Sequence, residues 1–333
     1  MLVPLEGGYD EMKAIQIQAY GGTEVLKVID VPRPEPAPGE VLIHVQAAGV
    51  NPADIHIRSG FATMPPEYRP ANVLSLPRIL GSDVSGIVEE IGPGVTAFKK
   101  GDAVYGLIRF PSGNPEGAYA EYISAPTEDL ALKPESMSHV QAAALPMTAL
   151  TAWQALFDHA NMSKGQTVLI NGASGGVGHL AVQIAKAKGA HVIAVASGRN
   201  AEFVERLGAD QFIDYTKTEL ENAVSDVDLV IDTVGGPNGG RFIDVLKPGG
   251  RLVPIFYGTY PAERAAAAGV TVRGMQVHSN GSQLAAIGQL VDEKLLRVEI
   301  ESVFPLEEAD QAHARIESRR TRGKIVLRVG DEL

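Results

Sequence analysis

Cysteine is absent from the 333-residue chain, which excludes disulfides, thiolate nucleophiles, iron–sulfur clusters and thiolate-held zinc together. Cations are scarce: 29 Lys and Arg stand against 40 Asp and Glu, a formal charge of −11. Phosphate binding on a broad front needs clustered cations, so no nucleic acid or anionic lipid partner is expected. No window reaches about 18 uninterrupted apolar residues, as a membrane span requires. The most apolar segment, 140–157, is broken by Gln141, Pro146, Thr148, Thr151 and Gln154. The opening MLVPLEGGYDEMK lacks the basic stretch and apolar run of a secretory leader. A soluble, cytoplasmic protein is the expectation.

Turn formers and core formers are plentiful. Gly (36) and Pro (21) point to many short elements, and 45% of the chain is apolar. The length suggests two domains at roughly 150 residues each. Up to about residue 126, short β-type runs (MKAIQIQAY, EVLKVIDVPRP, GEVLIHVQAAGVNP) alternate with Pro/Gly turns and show no helical periodicity. That rhythm predicts a compact barrel-like β unit. After Pro134 it changes. Residues 136–158 read as helix interrupted at Pro146; apolar strands then follow at 167–171, 191–197, 211–215, 228–234, 251–256 and 270–277. Between the first two, Val177, Leu180, Ala181, Ile184 and Ala185 form one stripe of a helix over 177–188 that Gly189 stops. Six apolar strands separated by helices predict a doubly wound parallel sheet. Past residue 298 short strands return, so the chain's end is expected to complete the first domain. The division is then 1–135 with 299–333, and 136–298 as an inserted α/β domain.

The strongest motif is Asn171-Gly172-Ala173-Ser174-Gly175-Gly176-Val177-Gly178. It leaves a predicted strand and opens a predicted helix, the context a dinucleotide fingerprint requires. Small residues there let backbone N–H groups approach a pyrophosphate at the helix N-terminus. Gly175 permits that approach, and Gly178 lets helix and strand pack closely, although Ala173 replaces the first glycine of the usual pattern. Ala173, Ser174, Gly175, Gly176 and Val177 are therefore candidate cofactor contacts. The second strand ends in Ser197-Gly198-Arg199-Asn200, with no carboxylate for the ribose hydroxyl of NAD. Arg199 offers charge and donors to a 2′-phosphate, and Ser197 and Tyr215 flank it, so NADPH is favoured over NADH. The alternative is that Arg199 merely caps an exposed helix start. Val234, Phe256 and Tyr257 follow the fourth and fifth strands at their carboxyl ends, where ligands bind in such sheets. Tyr257 is a candidate wall of the substrate pocket.

Taken with AAGVNPADIHIRSG (47–60), LGSDVSGIVEEIGPGVTAFKKGDAVYG (80–106), GAYAEYISAP (117–126), AAALPMTALTAW (142–153), LGADQFIDY (207–215) and TRGKIVLRV (321–329), the chain resembles the medium-chain dehydrogenase/reductase superfamily. Within it the likeness is to the zinc-independent, zeta-crystallin-like quinone oxidoreductase branch. The resemblance implies a GroES-like, β-barrel-type catalytic domain, a Rossmann domain with a six-stranded parallel sheet, and a cleft between them where nicotinamide meets substrate. It implies a homodimer joined through the edge strand 270–277. It gives Asn51 a place beside the nicotinamide, and His56 the position where some relatives carry a tyrosine near the substrate. Thr148 matches the position that faces the cofactor, and Arg319, Arg322 and Lys324 approach the adenosine phosphates. Asp54 and Arg58, at i and i+4, suit a mutual pair.

Zinc-dependent relatives hold their metal with Cys and a Gly-His-Glu segment. This chain reads Gly81-Ser82-Asp83 there, and its eight histidines lack ligand spacing, so no metal is expected. Without a Lewis acid, an electron-poor acceptor remains reducible. The expectation is an NADPH-dependent, metal-free reductase of a quinone or another α,β-unsaturated carbonyl, with the cofactor carrying the hydride chemistry. Two alternatives stay open: an enoyl-thioester or alkenal reductase on the same scaffold, and an NADPH-binding protein with a structural or regulatory role.

Overall fold

A computed structural model describes residues 10–72, 74–112 and 115–330; the leader reading of the first nine residues lies outside them. The first third is built of β1 (Glu11–Ile17), β2 (Lys27–Pro32), β3 (Glu40–Val50), β4 (Arg78–Ile79), β5 (Asp83–Ile91), β6 (Ala103–Leu107), β7 (Tyr122–Pro126) and β8 (Leu130–Leu132). The longest, β3, buries Val41, Leu42, Ile43, Val45, Ala47, Ala48 and Val50. It sits where apolar faces meet on both sides, paired antiparallel to β5 and β7. Helix α1 (Pro52–Arg58) leaves its end, with Pro52 at the first helical position, where a missing N–H does no harm.

Helices α2 (His139–Ala143) and α3 (Pro146–Trp153) replace the single interrupted helix expected over 136–158, and a π-helical turn continues to His159. The break falls at Pro146, whose ring clashes with a preceding helical turn but suits a new helix start. The parallel strands then follow as β9 (Thr167–Asn171), β10 (His191–Ala196), β11 (Gln211–Asp214), β12 (Val227–Asp232), β13 (Leu246–Pro254) and β14 (Thr271–Val272). Between them run α4 (Gly176–Ala187), α5 (Ala201–Arg206), α6 (Leu220–Ala223), α7 (Arg241–Asp244) and α8 (Ala262–Ala268). The sheet order is β11-β10-β9-β12-β13-β14, so the direction of winding reverses between β10 and β12, on either side of β9. Ligands bind at such a reversal, beyond the strands' carboxyl ends.

The strand expected over 270–277 is corrected to Thr271–Val272, which pair with Arg251 and Leu252. Arg273 still donates to the Leu252 carbonyl, but β13 ends at Pro254, which has no N–H with which to extend the ladder. Beyond it His278 is held by the Gln154 side chain instead.

Helix α9 (Gly281–Asp292) covers the sheet, and the chain returns through β15 (Ile300–Pro305), α10 (Ala309–Glu317) and β16 (Lys324–Arg328). Strand β16 pairs antiparallel with β3, and β15 pairs with β16. The last strands thus join the sheet of the first third. One buried cluster fills the barrel around Ile15, Ile43, Val84 and Leu327. Two more lie on the faces of the parallel sheet, around Ile170, Leu180 and Ile184 and around Leu169, Val230 and Phe242. The GroES-like barrel and the six-stranded Rossmann sheet are both present. Among the described residues no helix is long and apolar enough to cross a membrane.

Candidate functional site

Strand β9 delivers the glycine turn to the winding reversal. A Cβ on Gly178 would lie 2.1 Å from the Gly172 carbonyl oxygen, so only glycine lets α4 start this close to the strand. Helix α4 has no side-chain cap. The N–H groups of Gly176, Val177 and Gly178 are then its unsatisfied first donors, at the positive end of the helix dipole. Over Gly176 stand Thr148 and Lys324, whose carbons a Cβ there would meet at 3.3 and 3.4 Å. Ala173 is fully buried and spends its N–H on the Val195 carbonyl, so it supports the turn from beneath. A polyanion fits this cradle: free amides, room above Gly175, and a cation at its edge.

At the end of β10, the hydroxyls of Ser174 and Ser197 both accept from Asn200 Nδ2 at 3.1 Å. Asn200 Oδ1 takes two donors from Arg322, at 3.1 and 2.9 Å, and that guanidinium lies 5.1 Å from the Phe203 ring centre. Arg199, Tyr215, Val234 and Arg319 are exposed. The expectation that no carboxylate faces this end is corrected. Asp214, closing β11, lies so close to Gly198 that a Cβ there would meet its Oδ2 at 2.2 Å. Hydrogen bonds from Thr216 hold the Asp214 carboxyl below the usual range. The acid comes from the neighbouring strand, which is why the end of the second strand did not reveal it.

A cavity of about 1220 Å³ opens between barrel and sheet, bringing together Asn51 at the N-cap of α1, His56 within it, Thr148 of α3, Val177 of α4, and Phe256 and Tyr257 beyond β13. Its wall is aromatic. Tyr257 lies 4.9 Å from Phe256 and 4.6 Å from Tyr68, centre to centre, and His56 lies 6.3 Å from Phe256. His56 Nδ1 pairs with the Thr63 hydroxyl at 2.7 Å. Its Nε2 is buried without a protein partner, and burial pushes the imidazole below its ordinary value. The Thr148 hydroxyl donates to carbonyls of its own turn, Ala144 and Leu145, while lining the cavity.

Asn51 is fixed at both ends of its amide. Its Nδ2 donates to Asp83 Oδ2 at 2.9 Å, and its Oδ1 accepts from Lys324 Nζ. Lys324 Nζ also donates to the Val50 carbonyl and lies 3.7 Å from Asp83, whose other oxygen takes the Met147 N–H at 2.7 Å. One Nδ2–H of Asn51 remains for the cavity. Burial raises the Asp83 carboxyl and lowers the Lys324 ammonium. Lys324, whose stem lies over Gly176, is thus also the anchor of Asn51.

Asp54 and Arg58 do not pair, which corrects the i, i+4 expectation. Helix capping turns Asp54 back onto the Asn51 N–H, at 2.8 Å, leaving Tyr119 OH as its second donor at 3.2 Å. Arg58 points at α10, reaching His313 Nδ1 at 3.1 Å and Glu317 at 2.5 Å. A guanidinium only donates, so His313 carries its proton on Nε2 and passes it toward Tyr119 OH, 3.2 Å away. The donors therefore run from Arg58 through His313 and Tyr119 to Asp54. Burial lifts Asp54 to about 7 and lowers His313 to about 3.

These residues do not suit a metal. Among the described residues no three His, Cys, Asp or Glu side chains converge, and Asp83 faces an ammonium. Sequence reasoning noticed Asp83 only as a departure from Gly-His-Glu and missed Asn200 and Tyr68. The signal available for Asp83 was a lone carboxylate opening an apolar strand; Asn200 and Tyr68 had none.

Two family models match: an alcohol dehydrogenase GroES-like domain over residues 37–135 and a zinc-binding dehydrogenase over 207–327. The NAD(P)H oxidoreductase RTN4IP1, mitochondrial, of Mus musculus is 35% identical, across 96% of this chain and 89% of that protein. A quinone oxidoreductase of Sus scrofa is 36% identical, across 96% and 98%. The structure of the quinone oxidoreductase from Coxiella burnetii aligns with a TM-score of 0.84 at 40% identity, covering 96% of this chain and all of that one.

Proposed function

The chain belongs to the medium-chain dehydrogenase/reductase superfamily, with quinone oxidoreductases as its relatives, and from that premise we propose an NADPH-dependent, metal-free reductase of quinones or other α,β-unsaturated carbonyls. The coarser statement, an oxidoreductase that uses a nicotinamide dinucleotide, follows from the family. The finer one rests on a single observation. One cavity joins an uncapped glycine turn to a tethered amide, Asn51, across an aromatic wall.

In this reading the N–H groups of Gly176 and Val177 bind the pyrophosphate, Gly175 leaves room for its close approach, and Ser174 presents its hydroxyl beside them. Ser197, Arg199 and Tyr215 receive the 2′-phosphate, and Arg319 adds positive charge. Val234 supports the nicotinamide ribose, and Thr148 orients the ring. The bound nicotinamide supplies the hydride. Asn51 donates its free N–H to the acceptor oxygen, where negative charge develops. Neutral His56 donates from Nε2; its lowered basicity suits a hydrogen-bond donor rather than a standing imidazolium. Phe256 and Tyr257 stack on a flat acceptor and keep water out. A homodimer through the sheet edge at 270–277, and domains of 1–135 with 299–333 and 136–298, belong to the same proposal.

NADPH oxidation measured against naphthoquinones, enals and enoyl thioesters tests it. Turnover is expected with naphthoquinones. Turnover confined to enals or thioesters would replace the acceptor, and NADPH binding without turnover of any acceptor would leave a binding protein.

A further inference from the structure

His179, in the first turn of α4, is wholly buried and has both ring nitrogens engaged. Its Nδ1 meets the Gly175 carbonyl at 2.8 Å, and its Nε2 meets the Glu299 N–H at 3.1 Å. A carbonyl accepts and an N–H donates, so the two partners fix one neutral tautomer, with the proton on Nδ1.

Each bond has a consequence. The peptide joining Gly175 to Gly176 is planar, with its carbonyl and N–H opposed. The Gly175 carbonyl takes the His179 backbone N–H at 3.1 Å as well, and the imidazole reinforces that hold, which aims the N–H of Gly176 outward, at the place a phosphate would occupy. On the other side, Glu299 lies at the entry to β15, and its carbonyl accepts the Lys324 N–H at 2.9 Å. Lys324 in turn holds Asn51 Oδ1. One imidazole thus links the glycine turn to the segment that carries the anchor of Asn51. Gln183, one turn along, fastens Arg297 independently, through Nε2 to its carbonyl at 2.9 Å and Oε1 from its N–H at 3.0 Å. The segment stays attached when His179 is altered.

We propose that His179 is a positioning residue that aims the phosphate-binding turn through Nδ1 and keeps that turn in register with Asn51 through Nε2. The inference rests on the dinucleotide reading above. Two substitutions separate the bonds, because the Asn amide nitrogen overlays Nδ1 and the Gln amide overlays Nε2. His179→Asn is expected to bind NADPH within about threefold of the parent while kcat with the best acceptor falls several-fold. His179→Gln is expected to do the reverse, with NADPH Kd rising about tenfold, the weight of one buried hydrogen bond, and kcat nearly held. Each variant loses one bond, so both should lower Tm by a similar amount. Calorimetric Kd values that are equal for the two variants would show a merely structural histidine and overturn the proposal, even if no acceptor is found. A parent protein that binds neither NADPH nor NADH would instead remove the dinucleotide reading, and this inference with it.

Discussion

The two walls of the cleft recognise by opposite means. On the sheet side the working groups are backbone amides left open by an uncapped helix, and the nearby side chains Arg199 and Tyr215 stand in solvent. On the barrel side only one Nδ2–H of Asn51 and His56 Nε2 face the cavity unpaired, and the polar groups behind them are tied. Asn51, Asp83, Lys324, Asp54, Tyr119, His313 and Arg58 are buried and bonded to one another. Backbone geometry tolerates replacement of its neighbours, whereas a closed network of buried charges fails when any member is removed.

The largest expected effect follows from that contrast. Lys324→Met strands Asp83 beside Asp54 without a cation, and should lower unfolding free energy by roughly 3–5 kcal/mol, read from urea denaturation at neutral pH. A loss no greater than that of an exposed substitution would erase the distinction between the walls.

Two buried groups, one on each wall, should answer acid in opposite senses. Burial lowers His179, on the sheet side, to about 4. Below its ordinary value near ~6.5 the unfolded chain takes up the proton first. Stability should fall as pH drops through that point, by about 2 kcal/mol at roughly pH 5, until the folded value is passed. Asp54, lifted to about 7 on the barrel side, holds its proton in the folded state first, so its contribution grows as pH falls from about 7 toward its ordinary value. Denaturation of the parent, His179→Asn and Asp54→Asn across this range isolates the two slopes, and equal slopes in all three would break the comparison.

The smallest effect concerns the exposed charge. Arg199→Ala should remove most of a tenfold preference for NADPH over NADH, about 1.4 kcal/mol, seen in paired Kd measurements, with stability unchanged. If Arg322→Ala removes that preference instead, the 2′-phosphate lies against Asn200, and the sheet wall too relies on a tied side chain.

The same division decided what the chain revealed before its fold was known. Buried parallel strands are continuous apolar runs, and the Gly172–Gly178 spacing is local, so the sheet and its turn were legible from the residues themselves. Strand bounds were less legible: the expected 251–256 is Leu246–Pro254, and the overextended 270–277 depended on that partner, which ends in Pro254. The barrel wall was legible only at Asn51 and His56, through family resemblance. Its contacts join residues as far apart as Arg58 and His313 or Asn51 and Lys324, and no spacing rule reaches across such separations. Asp54 and Arg58 even obey a helical pairing rule that the cap and α10 override. Asp214 escaped for a related reason, since the strand that carries it becomes a neighbour of β10 only once the sheet is assembled.

Strand β3 lies between residues made early and β16, whose pairing with it begins at Ile325 opposite Val50. On a ribosome the parallel sheet can therefore assemble while the barrel that precedes it in the message still lacks a stave. The amino-terminal third must wait with one edge unsealed until Lys324–Arg328 emerge, an interval in which a chaperone has something to hold.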